Sequence, residues 1–497
     1  MKMMKIQKIL HIFLLSICLG LLVSCDTVPE NAQDVDKLPV IYPDYIGVTI
    51  PDSIAPLDFS MADDNYSKIY VEIKGLQGGD IQSEGNYADF DVDEWHHLVS
   101  INKGSSLRVT VYAEREGHWL KFREFPIYVS RYGLGDWGIT YRRIAPSYES
   151  YSDMGIYERN LSNFEERALL VNTEVGGMCV NCHTPNTTHP DQYVFHVRGE
   201  NGCTYIHHDG KSEVLQAKNA ELGGSMVYPS WHPSGRYCAF STNKTSQMFH
   251  FSKARRVEVY DSSSDIFVYN VATHTILCDT TTMTPLNAEN CPAFSGDGKW
   301  LYFTSAHRQT YPDNYDKERY DLCRIAFDAS KGRFVGPVDT LVCASAMGKS
   351  ITWPRPSYDG RYVMYTQMDY GYFSVWHPEA DLYLLDLRTM QSHPLHEVNS
   401  RHSESLHAWT ANSRWFLFTS RRDDDHYTRI YLSSIDDKGR ATKPFLLPQR
   451  DAKRYYARSL YSYNTPDFAS KPAKIDCYDT GCEIMRPERV ATKVSRK

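Results

Sequence analysis

The sequence has no excess of basic charge: 54 Lys and Arg stand against 61 Asp and Glu, a formal net charge of −7 over 497 residues. That excludes a nucleic-acid partner held on a broad basic face. Also missing are the short signatures G-x-S-x-G, H-E-x-x-H and the Walker phosphate loop. Only a short, partly basic tail follows Phe468, so catalysis by an attached carboxy-terminal hydrolase domain is not expected. The apolar run over residues 9–23 is too short to cross a bilayer.

That run follows Lys2, Lys5 and Lys8 and ends in Leu22-Val23-Ser24-Cys25. Residues 1–24 have the layout of a cleaved secretory signal. Their end resembles a bacterial lipobox, which implies lipidation of Cys25 and anchoring in the envelope of a Gram-negative bacterium, on the periplasmic face or at the cell surface. The leader takes three lysines and no acid with it, so the mature chain is more acidic still. Residues 25–40 are polar, contain Pro29 and Pro39, and read as a tether. Export places the remaining cysteines where disulfides are permitted. Cys477 and Cys482 flank an apparent turn and are the expected pair, whereas Cys203, Cys238, Cys278, Cys291, Cys323 and Cys343 read as small hydrophobes.

The expected fold class is all-β. Residues 41–132 carry alternating runs such as "KIYVEIKG" and "LRVTVYAERE" between turn clusters, a pattern expected of an immunoglobulin-type β-sandwich. Residues 133–186 read as a connector. Ser162 and Glu165 have capping-box spacing there and predict one or two helical turns.

Beyond the connector the text repeats: "PSWHPSGRYCAFSTNK", "PAFSGDGKWLYFTSAH", "PRPSYDGRYVMYTQMD" and "HAWTANSRWFLFTSRR" each pair a strand end and tight turn with a buried strand. The turns fall at Gly235, Gly298, Gly360 and Ser413, where positive φ is expected. These repeats resemble TolB-type β-propellers over residues 187–470. With two degenerate repeats, "QYVFHVRG…CTYIHHDG" and "YYARSLYSYNTPDF", they predict six blades, and residues 471–497 are a tail. Loops after the buried strands, "TNKTSQMFHF", "SAHRQTYPDNYDKERY" and "QMDYGYFSVWHP", are rich in aromatics, His and Arg and are expected around one channel mouth. "RRDDDHY" reads as a solvated turn.

One stretch suggests chemistry. Cys179-Val180-Asn181-Cys182-His183 is a CxxCH pentapeptide, the attachment signature of c-type haem. The layout is similar to Bacteroidetes lipoproteins that combine a TolB-like propeller with CxxCH. That resemblance implies the architecture and attached haem c but no reaction; resemblance to c-type cytochromes implies thioethers on Cys179 and Cys182 and iron held by His183, and the expected function is electron transfer with a protein redox partner docked on the propeller. Met226 and His196, with His207 and His208, are the candidate distal ligands, and His196 with Arg198 could frame a peroxidase-like pocket. Zinc on Cys179, Cys182, His183 and His189 is the rival metal. A Cys179–Cys182 disulfide is another reading, although no thioredoxin-like βαβ pattern surrounds the pair. The competing function is a non-redox propeller lipoprotein that binds or scaffolds a protein or glycan at a membrane or within an envelope complex.

Overall fold

The computed structural model describes residues 28–145, 153–216, 218–219, 221–222, 224–250 and 255–496. The signal segment and Cys25 lie outside them. The chain is all-β, and its larger part is a six-bladed propeller. Blades II to VI each take four strands in sequence order and begin at Cys179–Asn186, Val227–Trp231, Asn287–Phe294, Ser350–Pro356 and Glu404–Trp409. Blade I is made of Gly138–Ile144, Met154–Asn160 and Glu166–Val171, and the late strand Ser462–Ala469 supplies its innermost position. The ring is therefore closed by non-local pairing, the first blade taking its inner strand from the late part of the chain.

The inner strands share one irregularity that proves the sixfold register. Thr465, Cys182, Tyr228, Cys291, Trp353 and Leu406 all have φ between 45° and 53°. At each of them the pairing with the second strand slips by a bulge. The next residues are Pro466, His183, Pro229, Pro292, Pro354 and His407. Proline has no N–H for the ladder, so it fits where pairing is already interrupted. The turns at Gly235, Gly298, Gly360 and Ser413 adopt the expected positive φ.

Two expectations need correction. Residues 133–186 are not a partly helical connector: they hold three strands of blade I and the inner strand of blade II. After Ser162 the chain forms the strand Glu166–Val171, paired with Met154–Asn160, and only a short 3-10 turn at Asn172–Val175 follows. Ser162 sits in a turn where its N–H and hydroxyl both donate to Asn160 Oδ1, so its capping capacity is used locally and sheet pairing decides the rest.

The N-terminal unit is likewise not laid out as two packed sheets. Seven of its strands join in one sheet, with parallel pairs Gln33–Val35 against His118–Phe122 and Thr49–Ile50 against Phe125–Val129. A helix, Val92–Ile101, covers the sheet with Trp95, Leu98 and Val99. Asp91 caps it by accepting from the N–H groups of Asp93 and Glu94. The apolar core of this unit runs on into blades V, VI and I. Polar ties reinforce the join: Trp415 Nε1 donates to Tyr132 O at 3.2 Å, and Asn412 Nδ2 donates to the carbonyls of Gly133 and Leu134.

Candidate ligand cleft at the channel mouth

The CxxCH residues are part of the blade repeat. Asn181-Cys182-His183 in blade II occupies the same register as Asn290-Cys291-Pro292 in blade IV. Cys182 is the bulge residue, and His183 takes the position that His407 fills in blade VI. Both histidines are buried, and burial lowers both pKa values to about 3. Each ring lies near the preceding blade, His183 by the Thr140 backbone and His407 by that of Met364, but His183 Nε2 and both ring nitrogens of His407 make no hydrogen bond among the described residues. His183 also stacks near Tyr193, and its Nδ1 lies 3.5 Å from Thr465 Oγ1. The repeat thus accounts for His183 as an inter-blade packing group.

The arrangement does not fit a haem. Cys179 and Cys182 lie three residues apart on one strand, about 10 Å at ordinary strand rise. Cys179 opens on a cleft at the channel mouth, whereas Cys182 and His183 border a separate chamber of about 30 Å³. That chamber is an order of magnitude smaller than ordinary cofactor pockets. Met226 is buried in the core between blades II and III, and His196 Nδ1 is paired with Thr204 Oγ1 at 3.1 Å within its own blade. The strand spacing also exceeds the reach of a disulfide. No group of three or more His, Cys, Asp or Glu side chains able to hold a metal occurs among the described residues, so the zinc set is not assembled either. Cys477 and Cys482 are both free and lie five residues apart on the helix Cys477–Met485, pointing to different sides of it.

The cleft bordered by Cys179 has a volume of about 240 Å³. Three consecutive blades furnish one side with guanidinium groups: Arg421 from blade VI, Arg142 from blade I and Arg198 from blade II. Asn181 and Asn464, each just before a bulge, lie beneath them. The Asn464 side-chain oxygen accepts from Arg142 at 3.0 Å in the amide orientation that satisfies both of its groups. Arg421 lies over the Trp376 ring at 3.0 Å. Burial pushes the Cys179 thiol up against the pull of Arg142 and Arg198, so it stays neutral.

The opposite wall comes from an unusually long hairpin of blade III, Tyr237–Phe249 with Val257–Asn270, which brings Gln247, Val257 and Val259 over the mouth. A blade V loop adds Phe373 and Val375, and its Trp376 joins this wall to the guanidinium side through Arg421. Hairpin and loop are latched by His377, whose Nε2 lies 3.2 Å from Glu258 Oε1 and whose Nδ1 lies 3.1 Å from Glu379 Oε1. Arg255 Nη2 donates to Glu379 at 2.7 Å, and Tyr370 donates to Glu258 at 2.9 Å.

Sequence reasoning placed the aromatic and basic loops at the mouth, and the cleft takes Gln247, Phe373 and Trp376 from them. It missed Arg142, which belongs to the stretch read as a connector. "RRDDDHY" is only partly solvated: Arg421 is buried, and Arg422 pairs with Glu404 at 2.9 Å.

No protein-family model matches the chain, and no curated protein matches it. Solved structures do. They include the tricorn protease (12 % identity, 71 % of this chain and 35 % of that one, TM-score 0.34). The periplasmic gluconolactonase PpgL of Pseudomonas aeruginosa matches at 13 % identity, over 67 % of this chain and 100 % of that one, TM-score 0.36. A Bacteroides thetaiotaomicron protein of unknown function matches at 7 % identity, over 84 % and 99 %, TM-score 0.30. The chain spans about a third of the tricorn protease. Similarity at this level lends the chain no activity.

Proposed function

We propose that the protein is an exported, lipid-anchored, non-redox binding propeller whose ligand enters the cleft at the channel mouth. The observation that carries this reading is the cleft itself: about 240 Å³, with guanidinium groups on one side and apolar side chains on the other. CxxCH is then structural, an outcome of the blade register. A lipid on Cys25 and the tether that follows would hold the propeller at a membrane.

Two measurements test the two halves of the reading. The chain from Asp26 onward, expressed with haem-maturation machinery, is expected to give no c-type α-band in the denatured pyridine haemochrome spectrum, and Cys179→Ala, Cys182→Ala to fold as the parent does. A band that survives denaturation and vanishes in that variant would restore the redox reading. Compounds that raise the melting temperature in a small-molecule screen are expected to lose their effect in Asn181→Trp, which fills the cleft. Hits that keep their effect in Asn181→Trp would place binding elsewhere.

A further inference from the structure

We infer that the cleft is built for a small organic anion, a carboxylate on an apolar body, with Arg198 as its principal charge partner. The inference rests on the binding reading above and adds the chemical class of ligand. Arg198 ends the strand His189–Arg198, with its guanidinium in the cleft. Burial works against its charge, the groups that chiefly favour it are Cys182, Tyr228, Cys179 and Tyr372, none of them a carboxylate, and Arg198 makes no ion pair among the described residues. Around the same mouth several cationic side chains have acids: Arg255 has Glu379, Arg422 has Glu404, and His377 has two.

A guanidinium withdrawn from water without a counter-charge costs stability. A protein that retains one at the wall of a cleft gains most when an anion supplies the missing partner. The planar fork of arginine suits two parallel hydrogen bonds to a carboxylate. Asn181 beside it offers an amide donor, and Arg142 lies in the next blade. Facing these, Val257, Val259, Phe373 and Val375 are apolar and suit a hydrocarbon or ring body. The volume, just under the usual range of ligand pockets, favours a small molecule over a polymer chain.

The test pairs acids with their neutral amides, because both share a body and only one carries charge. Benzoate and phenylacetate are titrated calorimetrically against the lipidless mature protein beside benzamide and phenylacetamide, and the acids are repeated on Arg198→Met. The acids are expected to bind and the amides to bind at least roughly tenfold more weakly, the worth of a charge-assisted hydrogen bond. Arg198→Met is expected to lose the acids by a similar factor while its own melting temperature stays level or rises, since a half-buried charge without an ion-pair partner has been replaced by an apolar chain. Equal binding of acids and amides would overturn the anion inference and leave the binding reading standing. A fall of several degrees in the melting temperature of Arg198→Met would overturn it too, by making Arg198 a structural residue. Binding of neither series, with hits from the wider screen confined to uncharged compounds, would overturn the anion class alone.

Discussion

A chain ended at Ser459 is expected to lose cooperative folding. The cut removes Ser462–Ala469, the inner strand of blade I. Gly138–Ile144 would then present an unpaired edge to the channel, and the ring would have no closure. Phe468 and Tyr463 leave the core, and Asp467 no longer accepts from Thr184 Oγ1 at 2.9 Å, the bond that ties blade I to blade II. Glu158 loses the Ala473 N–H, and Arg167 loses the Ala473 and Ile475 carbonyls. Loss of Phe468 alone, as Phe468→Ala, should cost about 3–5 kcal/mol. Losing the whole strand exceeds the margin of an ordinary domain, about 5–15 kcal/mol. Urea titration followed by tryptophan fluorescence checks this: the parent should unfold in a sigmoidal transition and the truncated chain should show none. A chain ended just before Lys493, which loses only the outer strand of blade III, should retain the transition. If the chain ended at Ser459 also unfolds cooperatively, the late strand is not what closes the ring.

How much of this architecture can be read from the sequence depends on whether a signal is local. The hairpin turns are local: Gly235, Gly298, Gly360 and Ser413 mark four blades because positive φ restricts residue choice. Blade I was legible only at its late end, where "YYARSLYSYNTPDF" holds most of the inner strand; its neighbour lies about 320 residues earlier, and no local pattern announces that pairing. The helix Val92–Ile101 was legible and went unread. Asp91 as cap and Trp95, Leu98 and Val99 at helical spacing are its signature, hidden among strands of the other period. Under the non-redox reading proposed above, CxxCH has a structural origin. Asn181-Cys182-His183 satisfies a bulge that recurs six times, and only Cys179 is then left to chance. The cleft was half legible, since its loop residues stood out by composition and Arg198 through its closeness to His196, while Arg142 sits on a second strand where a basic residue looks like ordinary alternation.

The His377 latch should make the hairpin of blade III depend on pH. His377 is buried with Glu258 at Nε2 and Glu379 at Nδ1. Burial works against its charge, but the two acids outweigh burial and raise its pKa above the ordinary 6.5. Burial alone would likewise raise Glu379, yet His377 and Arg255 bring it down to about 2. The other groups turned towards the latch are Tyr370, His250 at 3.8 Å from Glu258, and Asp369 at 3.5 Å from Arg255. A histidine with a raised folded pKa gives its full stabilisation below about pH 6.5 and loses it as pH rises through the folded value. A depressed carboxylate gives its full stabilisation above about pH 4.5 and loses it as pH falls towards 2. The latch is therefore tightest between about pH 4.5 and 6.5 and loosens on the alkaline side. Hydrogen exchange over residues 244–250 and 255–261 should be slowest in that window and accelerate towards pH 9, while exchange in the inner strands stays flat once corrected for intrinsic rates. His377→Ala should remove that latch-specific alkaline change and destabilise the protein by about 3–5 kcal/mol, because Glu258 is left buried without its cationic partner. His377→Ala with Glu258→Gln should recover much of the loss, since an amide in place of the carboxylate removes the stranded charge. If hairpin exchange in the parent, corrected in the same way, is indifferent to pH between 6 and 9, the roof of the cleft is held by its apolar contacts and not by the histidine.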